Sequence, residues 1–64
     1  MGDQEVLAIL DELRSGGIEE YRVQKTDFLH FRKHLIAQED FKHFRGIAQQ
    51  GGDIIYTYME KPRS

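Results

Sequence analysis

His30 and His34 stand four residues apart. On a helix that spacing sets both imidazoles on one face, where a metal ion can bridge them. No Glu follows His30, so the pair lacks the general base of the metalloprotease helix. His43 becomes a third ligand only if the chain folds it back. The angular count turns both histidines away from the neighbouring phenylalanines, so the expectation is solvated imidazoles and no resident metal. The adjacent carboxylates Glu19-Glu20 and Glu39-Asp40 diverge on either a strand or a helix. They cannot face each other across a substrate, as paired acid–base catalysis requires. Ser15 and Ser64 carry no signature of an activated nucleophile. Gly51-Gly52-Asp53 precedes a strand-like run, whereas phosphate-cradling loops lead from a strand into a helix N-terminus. No catalytic group, cofactor or metal is therefore assigned.

Two binding surfaces remain. Arg32, Lys33, Lys42 and Arg45 are interleaved with Phe28, Phe31, Phe41 and Phe44, a basic and aromatic mixture that suits nucleic acid. Phe41, Phe44 and Ala48, with Tyr56 and Tyr58, form the second candidate, a protein interface, since aromatic residues anchor many interfaces.

The elements that must position these residues follow from periodicity. Val6, Leu10 and Leu13 recur at helical spacing after Asp3, a candidate N-cap, so a helix is expected from Gln4 to Ser15 and stopped by Gly16-Gly17. Tyr21 and Val23 alternate with polar neighbours, which marks an edge strand between Ile18 and Gln24. Thr26 or Asp27 caps a further helix carrying Phe28, Phe31 and Leu35 on one stripe. Phe41, Phe44, Ile47 and Ala48 also fit helical spacing, but their stripe lies ~150° round from the first at ~100° per residue. Either the helix breaks near Gln38-Glu39-Asp40 and a second helix runs from Phe41 to Gln50, or one helix spans Asp27 to Gln50. The break is the favoured reading. Gly46 weakens either helix by ~1 kcal/mol relative to Ala. Asp53 to Met59 is the strongest strand, apolar on both faces and so an inner one. Lys61-Pro62-Arg63-Ser64 is read as a fraying tail.

The expected fold is a small single α+β domain over residues 1–64, ordered helix, strand, helix, helix, strand. An inner strand with one visible partner points to a two-stranded sheet that is either covered by helices or completed by a second subunit, because two strands alone are marginal in water. The order resembles the first five elements of a winged helix, whose second paired helix enters the major groove. Against that stand the missing third strand and wing, and a net charge of -2.

Composition sets the remaining bounds. A chain of 64 residues buries only ~60% of its unfolded surface. It has no Cys, hence no disulfide or thiolate, and an intracellular setting is expected. No apolar run approaches the ~20 residues of a membrane span. Six acids (Asp3, Glu5, Asp11, Glu12, Glu19, Glu20) face Arg14 alone up to Tyr21; six bases then run from Arg22 to Arg45. The reading is a non-enzymatic, cytoplasmic interaction or regulatory protein acting as a homodimer, with a winged-helix-like nucleic-acid binder as the alternative.

Overall fold

The computed structural model describes residues 1–62, so Arg63 and Ser64 of the expected tail lie outside the described residues. Helix α1 (Asp3–Ser15) leads to strand β1 (Glu20–Val23). A 3-10 turn (Lys25–Asp27) opens helix α2 (Phe28–Ile36). A second 3-10 turn (Phe41–His43) runs into strand β2 (Phe44–Ala48), and strand β3 (Ile54–Tyr58) follows. The sheet is antiparallel with order β1-β3-β2. The fold is thus a compact α+β arrangement of two helices and three strands.

The apolar stripe of α1 is buried through Val6, Leu10 and Leu13. It meets Phe31 and Leu35 of α2 and Val23, Phe44 and Tyr56 of the sheet. Helix α1 ends at Gly16 as its sequence requires. Its start differs from expectation. Gly2 occupies the N-cap position and Asp3 is the first helical residue, with no side-chain cap. Asp27 likewise makes no capping bond, because the Lys25–Asp27 turn already leads into α2.

The second helix expected from Phe41 to Gln50 does not form, and neither does one helix from Asp27 to Gln50. The chain does break after Ile36, as favoured, but the following stretch becomes a 3-10 turn and β2. The reason lies in the spacing. Phe44 and Ala48, four apart, share a face on a helix and also on a strand, where even separations coincide. The expected inner strand decides between them. As the central strand, β3 needs a partner on each side, and β2 supplies the second within the same chain. The sheet is therefore three-stranded in one chain, and the expectation of two strands is corrected.

The β2–β3 hairpin turns through Gln49–Asp53. The Gln49 N–H donates to the Asp53 carbonyl at 2.7 Å, and the Gly52 N–H donates to the Gln49 carbonyl at 3.1 Å. Gly51 and Gly52 have φ of 93° and 97°, a region that glycine enters without strain. Asp53 then accepts from Arg22 Nε at 2.9 Å and from the Lys25 N–H at 3.0 Å, which pins the hairpin to the end of β1. Gly51-Gly52 therefore turns a hairpin and does not follow a helix ending at Gln50.

Alternation sends Tyr21, Val23, Ile54, Tyr56, Tyr58, Phe44, Gly46 and Ala48 toward the helices, and Arg22, Ile55, Thr57, Arg45 and Ile47 to the other face. Gly46 pairs with Tyr56. A Cβ at Gly46 would stand 2.9 Å from Tyr56 Cε1 and 3.2 Å from Ile54 Cγ2. The Tyr56 ring cannot swing clear, because it stacks on Phe31 at 5.0 Å between centroids. We therefore expect Gly46→Val to lower stability by about 1–3 kcal/mol despite valine's strand preference. Urea unfolding of the two proteins checks this, and an unchanged or higher midpoint contradicts it.

Candidate functional site: an open strand edge beside an apolar groove

Strand β2 lies at the edge of the sheet, and its pairing with β3 determines where its backbone groups point. The Met59 N–H donates to the His43 carbonyl at 2.8 Å, and Gln49 pairs with Asp53 in the same register. Hydrogen-bonded and non-bonded pairs alternate in an antiparallel ladder. Arg45 and Ile47 therefore exchange bonds with β3, while Phe44, Gly46 and Ala48 turn their N–H and C=O groups to the open edge. The side chains of Phe44 and Ala48 lie on the helix-facing side, which Gly46 leaves bare between them.

A groove of about 360 Å³ runs along this edge. Phe28, Arg32, Leu35, Ile36 and Phe41 form its helical wall, and Gly46, Ala48, Ile54 and Tyr56 its floor. It exists because α1 and α2 lie mainly over β1 and β3 and leave β2 partly uncovered. Phe41 and Ile36 are 36% and 49% exposed, so the groove carries an apolar rim. Arg32 is the charged member of the described lining. Such a surface fits an extended chain: backbone bonds give affinity, and alternate side chains fill the groove.

Four of the five residues expected at an interface, Phe41, Phe44, Ala48 and Tyr56, line this groove. Their chemistry was legible, although the helix assigned to three of them was not. Sequence reasoning missed Gly46, Ile54 and the α2 wall, since only the pairing register brings them together.

Tyr58 lies elsewhere. Its hydroxyl donates to Asp40 Oδ2 at 3.0 Å. Asp40 is held by a two-pronged contact from Arg14 of α1, Nε to Oδ2 at 2.7 Å and Nη2 to Oδ1 at 2.8 Å. The Arg14 guanidinium also sits 5.8 Å over the Phe44 ring. This cluster ties α1, the turn before β2 and the end of β3 together. Its bidentate geometry outweighs the single-contact pair of Arg22 with Asp53, which is more exposed and of a kind worth ~0–1 kcal/mol. Arg14 holds the Asp40 carboxyl down at about 2, helped by the Tyr58 hydrogen bond. Desolvation, then Asp40 itself, pushes the Tyr58 hydroxyl up.

The four expected nucleic-acid contacts do not share a face. Arg32 lines the groove. Lys33 is close enough to Asp3 to lower its carboxyl pKa, after the larger effect of the His34 hydrogen bond. Arg45 lies on the opposite face of the sheet, and Lys42 is in the second 3-10 turn. One objection to a winged helix is nevertheless overturned: the third strand and a hairpin in the wing position are both present. What the chain lacks among its described residues is the recognition helix, because Phe41–His43 forms only a single 3-10 turn. His30 and His34 are only partly solvated, with side chains 37% and 21% exposed, and lie in the seam between α1 and α2 against Asp3. His43 points away from them, with Nδ1 2.7 Å from the Met59 carbonyl.

A family model described as YkzS-like protein matches residues 3–57, from the start of α1 to within one residue of the end of β3. The chain belongs to the YkzS-like family. No curated protein and no solved structure matches it. The match therefore includes the wall and floor of the groove and the β2 edge. No helix among the described residues is long and apolar enough to cross a membrane.

Asp40 makes the YkzS-like fold sensitive to acid in a defined direction. Its folded pKa lies below the ordinary value of 3.8. Its contribution is thus fully present above that value and lost as pH falls toward about 2. Asp40→Asn should be less stable than wild type at about pH 6, and the gap should narrow steadily toward about pH 2. Chemical denaturation across that range checks this; a gap independent of pH contradicts it.

Proposed function

We propose that this YkzS-like protein is a non-enzymatic, cytoplasmic interaction module that acts as a homodimer, joined edge to edge through β2. The observation that carries the reading is the open polar edge of Phe44, Gly46 and Ala48 beside an apolar groove.

The edge is self-complementary. An antiparallel two-fold pairing centred on Gly46 sets Gly46 opposite its own copy and Phe44 opposite Ala48 of the second chain. All three outward-facing residues then fall in hydrogen-bonded pairs. On the other face, Arg45 meets Ile47 of the second copy, so no like charges stand directly opposite each other. The two three-stranded sheets would become one of six strands, with the groove residues of each chain at the junction. Such a contact closes on itself, unlike a head-to-tail contact that propagates. The other sheet edge is less suited. Strand β1 has four residues, and its outward-facing positions are the charged Glu20 and Arg22, a common way of blunting an edge. The dispersal of Arg32, Lys33, Lys42 and Arg45 counts against the nucleic-acid alternative.

Ala48→Pro separates association from folding. The Ala48 N–H points away from β3, so proline is tolerated there in the isolated fold but removes a donor at the proposed junction. Light scattering across a wide concentration range should show a dimer for wild type and a monomer for Ala48→Pro, with the same far-ultraviolet circular dichroism. Phe41→Glu at the groove rim should act in the same direction. Phe44 is unsuited to this test because it is buried and its replacement would report on folding. A wild type that stays monomeric at every concentration overturns the homodimer.

A further inference from the structure

The geometry points to a divalent transition-metal site formed by Asp3, His30 and His34, at the seam between the start of α1 and α2. Asp3 Oδ1 lies 3.0 Å from His30 Nε2 and 3.1 Å from His34 Nε2. One ligand atom from each residue falls within 4.8 Å of the other two. The helix dictates half of this arrangement, since positions four apart on α2 present their imidazoles side by side. Docking of α1 dictates the rest by bringing the carboxylate across from a position 27 residues earlier than His30.

Hydrogen bonding alone leaves this cluster incompletely satisfied. His34 Nε2 makes a hydrogen bond with Asp3 Oδ1. His30 Nε2 is buried and has no hydrogen-bond partner, despite standing 3.0 Å from the same oxygen. The contact has the distance of a bond but not its direction. A buried polar nitrogen left this way is destabilising, because it has given up water without gaining a partner. A cation placed between the three atoms would engage both ring nitrogens and the carboxylate together.

The spacing suits a small ion. Tetrahedral zinc, with bonds of about 2.0–2.1 Å, sets its ligand atoms about 3.3–3.4 Å apart. The two nitrogen-to-oxygen distances already approach that value. Two imidazoles and one carboxylate match zinc and its neighbours in softness, and poorly match calcium or magnesium, which prefer oxygen alone. A fourth position is left for water. Lys33 is the nearby cation that opposes the site, while the carboxylate of Asp3 offsets the incoming charge. The ion would staple α1 to α2 in a small chain that has no cysteine for a disulfide.

The test uses the untagged full-length chain, with zinc and cobalt(II) as probes. Calorimetry should give one zinc per chain, and zinc at about 100 times Kd should raise Tm by roughly 10–20 °C. Cobalt(II) should produce the strong visible bands of a tetrahedral site, bleached by zinc. Asp3→Asn and His34→Ala should each weaken zinc binding at least about tenfold, whereas His43→Ala, outside the site, should leave it unchanged. Circular dichroism of the two ligand variants confirms that the loss is not unfolding. Absence of zinc binding by wild type overturns the proposal. So does binding that survives the Asp3→Asn, His34→Ala double variant, because the metal then sits elsewhere.

Discussion

The ring of Tyr56 is the contact on which the rest of the fold depends. It sits at the middle of the central strand, is buried, and stacks on Phe31 of α2. Its cross-strand neighbours are Tyr21 of β1 and Gly46 of β2. An aromatic ring can lie flat against β2 only where β2 has no side chain, so Gly46 and Tyr56 fix each other's place. This one pairing sets the register of the hairpin. The register in turn sets which residues of β2 face the helices and which backbone groups face outward.

The same packing explains why a groove exists. Two helices cover roughly two strands' width, and the aromatic stack of Tyr21, Phe31 and Tyr56 draws α2 toward the β1 side of the sheet. Strand β2 is left with Phe44 tucked under the Arg14 guanidinium and with Gly46 and Ala48 as floor. Small residues there keep the floor low. A polar edge beside an apolar trough is a high-energy surface in water, because it exposes both unpaired amides and hydrophobic side chains. The proposed pairing with a second copy would relieve both at once.

Charge is used locally rather than as a field. The acidic first third and the basic middle of the sequence meet through a few directed contacts, and the strongest of them joins the minority charge of each segment. Arg14 of α1 grips Asp40, and Asp3 meets the histidines of α2. Each contact joins elements distant in the chain and fixes an end of α1. That division of labour suits a small core, where polar contacts at the periphery set the angles that burial alone leaves loose.

Periodicity in the sequence determined the two helices, the central strand and the edge strand β1, because those stripes are long enough to fit only one repeat. It also marked Phe41, Phe44 and Ala48, together with Tyr56 and Tyr58, as a candidate interface, of which Tyr58 lies outside the groove. It could not distinguish helix from strand over Phe44 to Ala48, where a four-residue separation satisfies both periods and Gly46 suits neither by propensity. Tertiary structure decided that stretch through the need of β3 for a second partner and the fit of the Tyr56 ring over Gly46. It also decided where the two candidate sites lie. Which backbone amides face outward depends on register, and the meeting of Asp3 with His30 and His34 depends on how α1 docks. Neither leaves a trace in local sequence, since both arise from contacts between segments far apart in the chain.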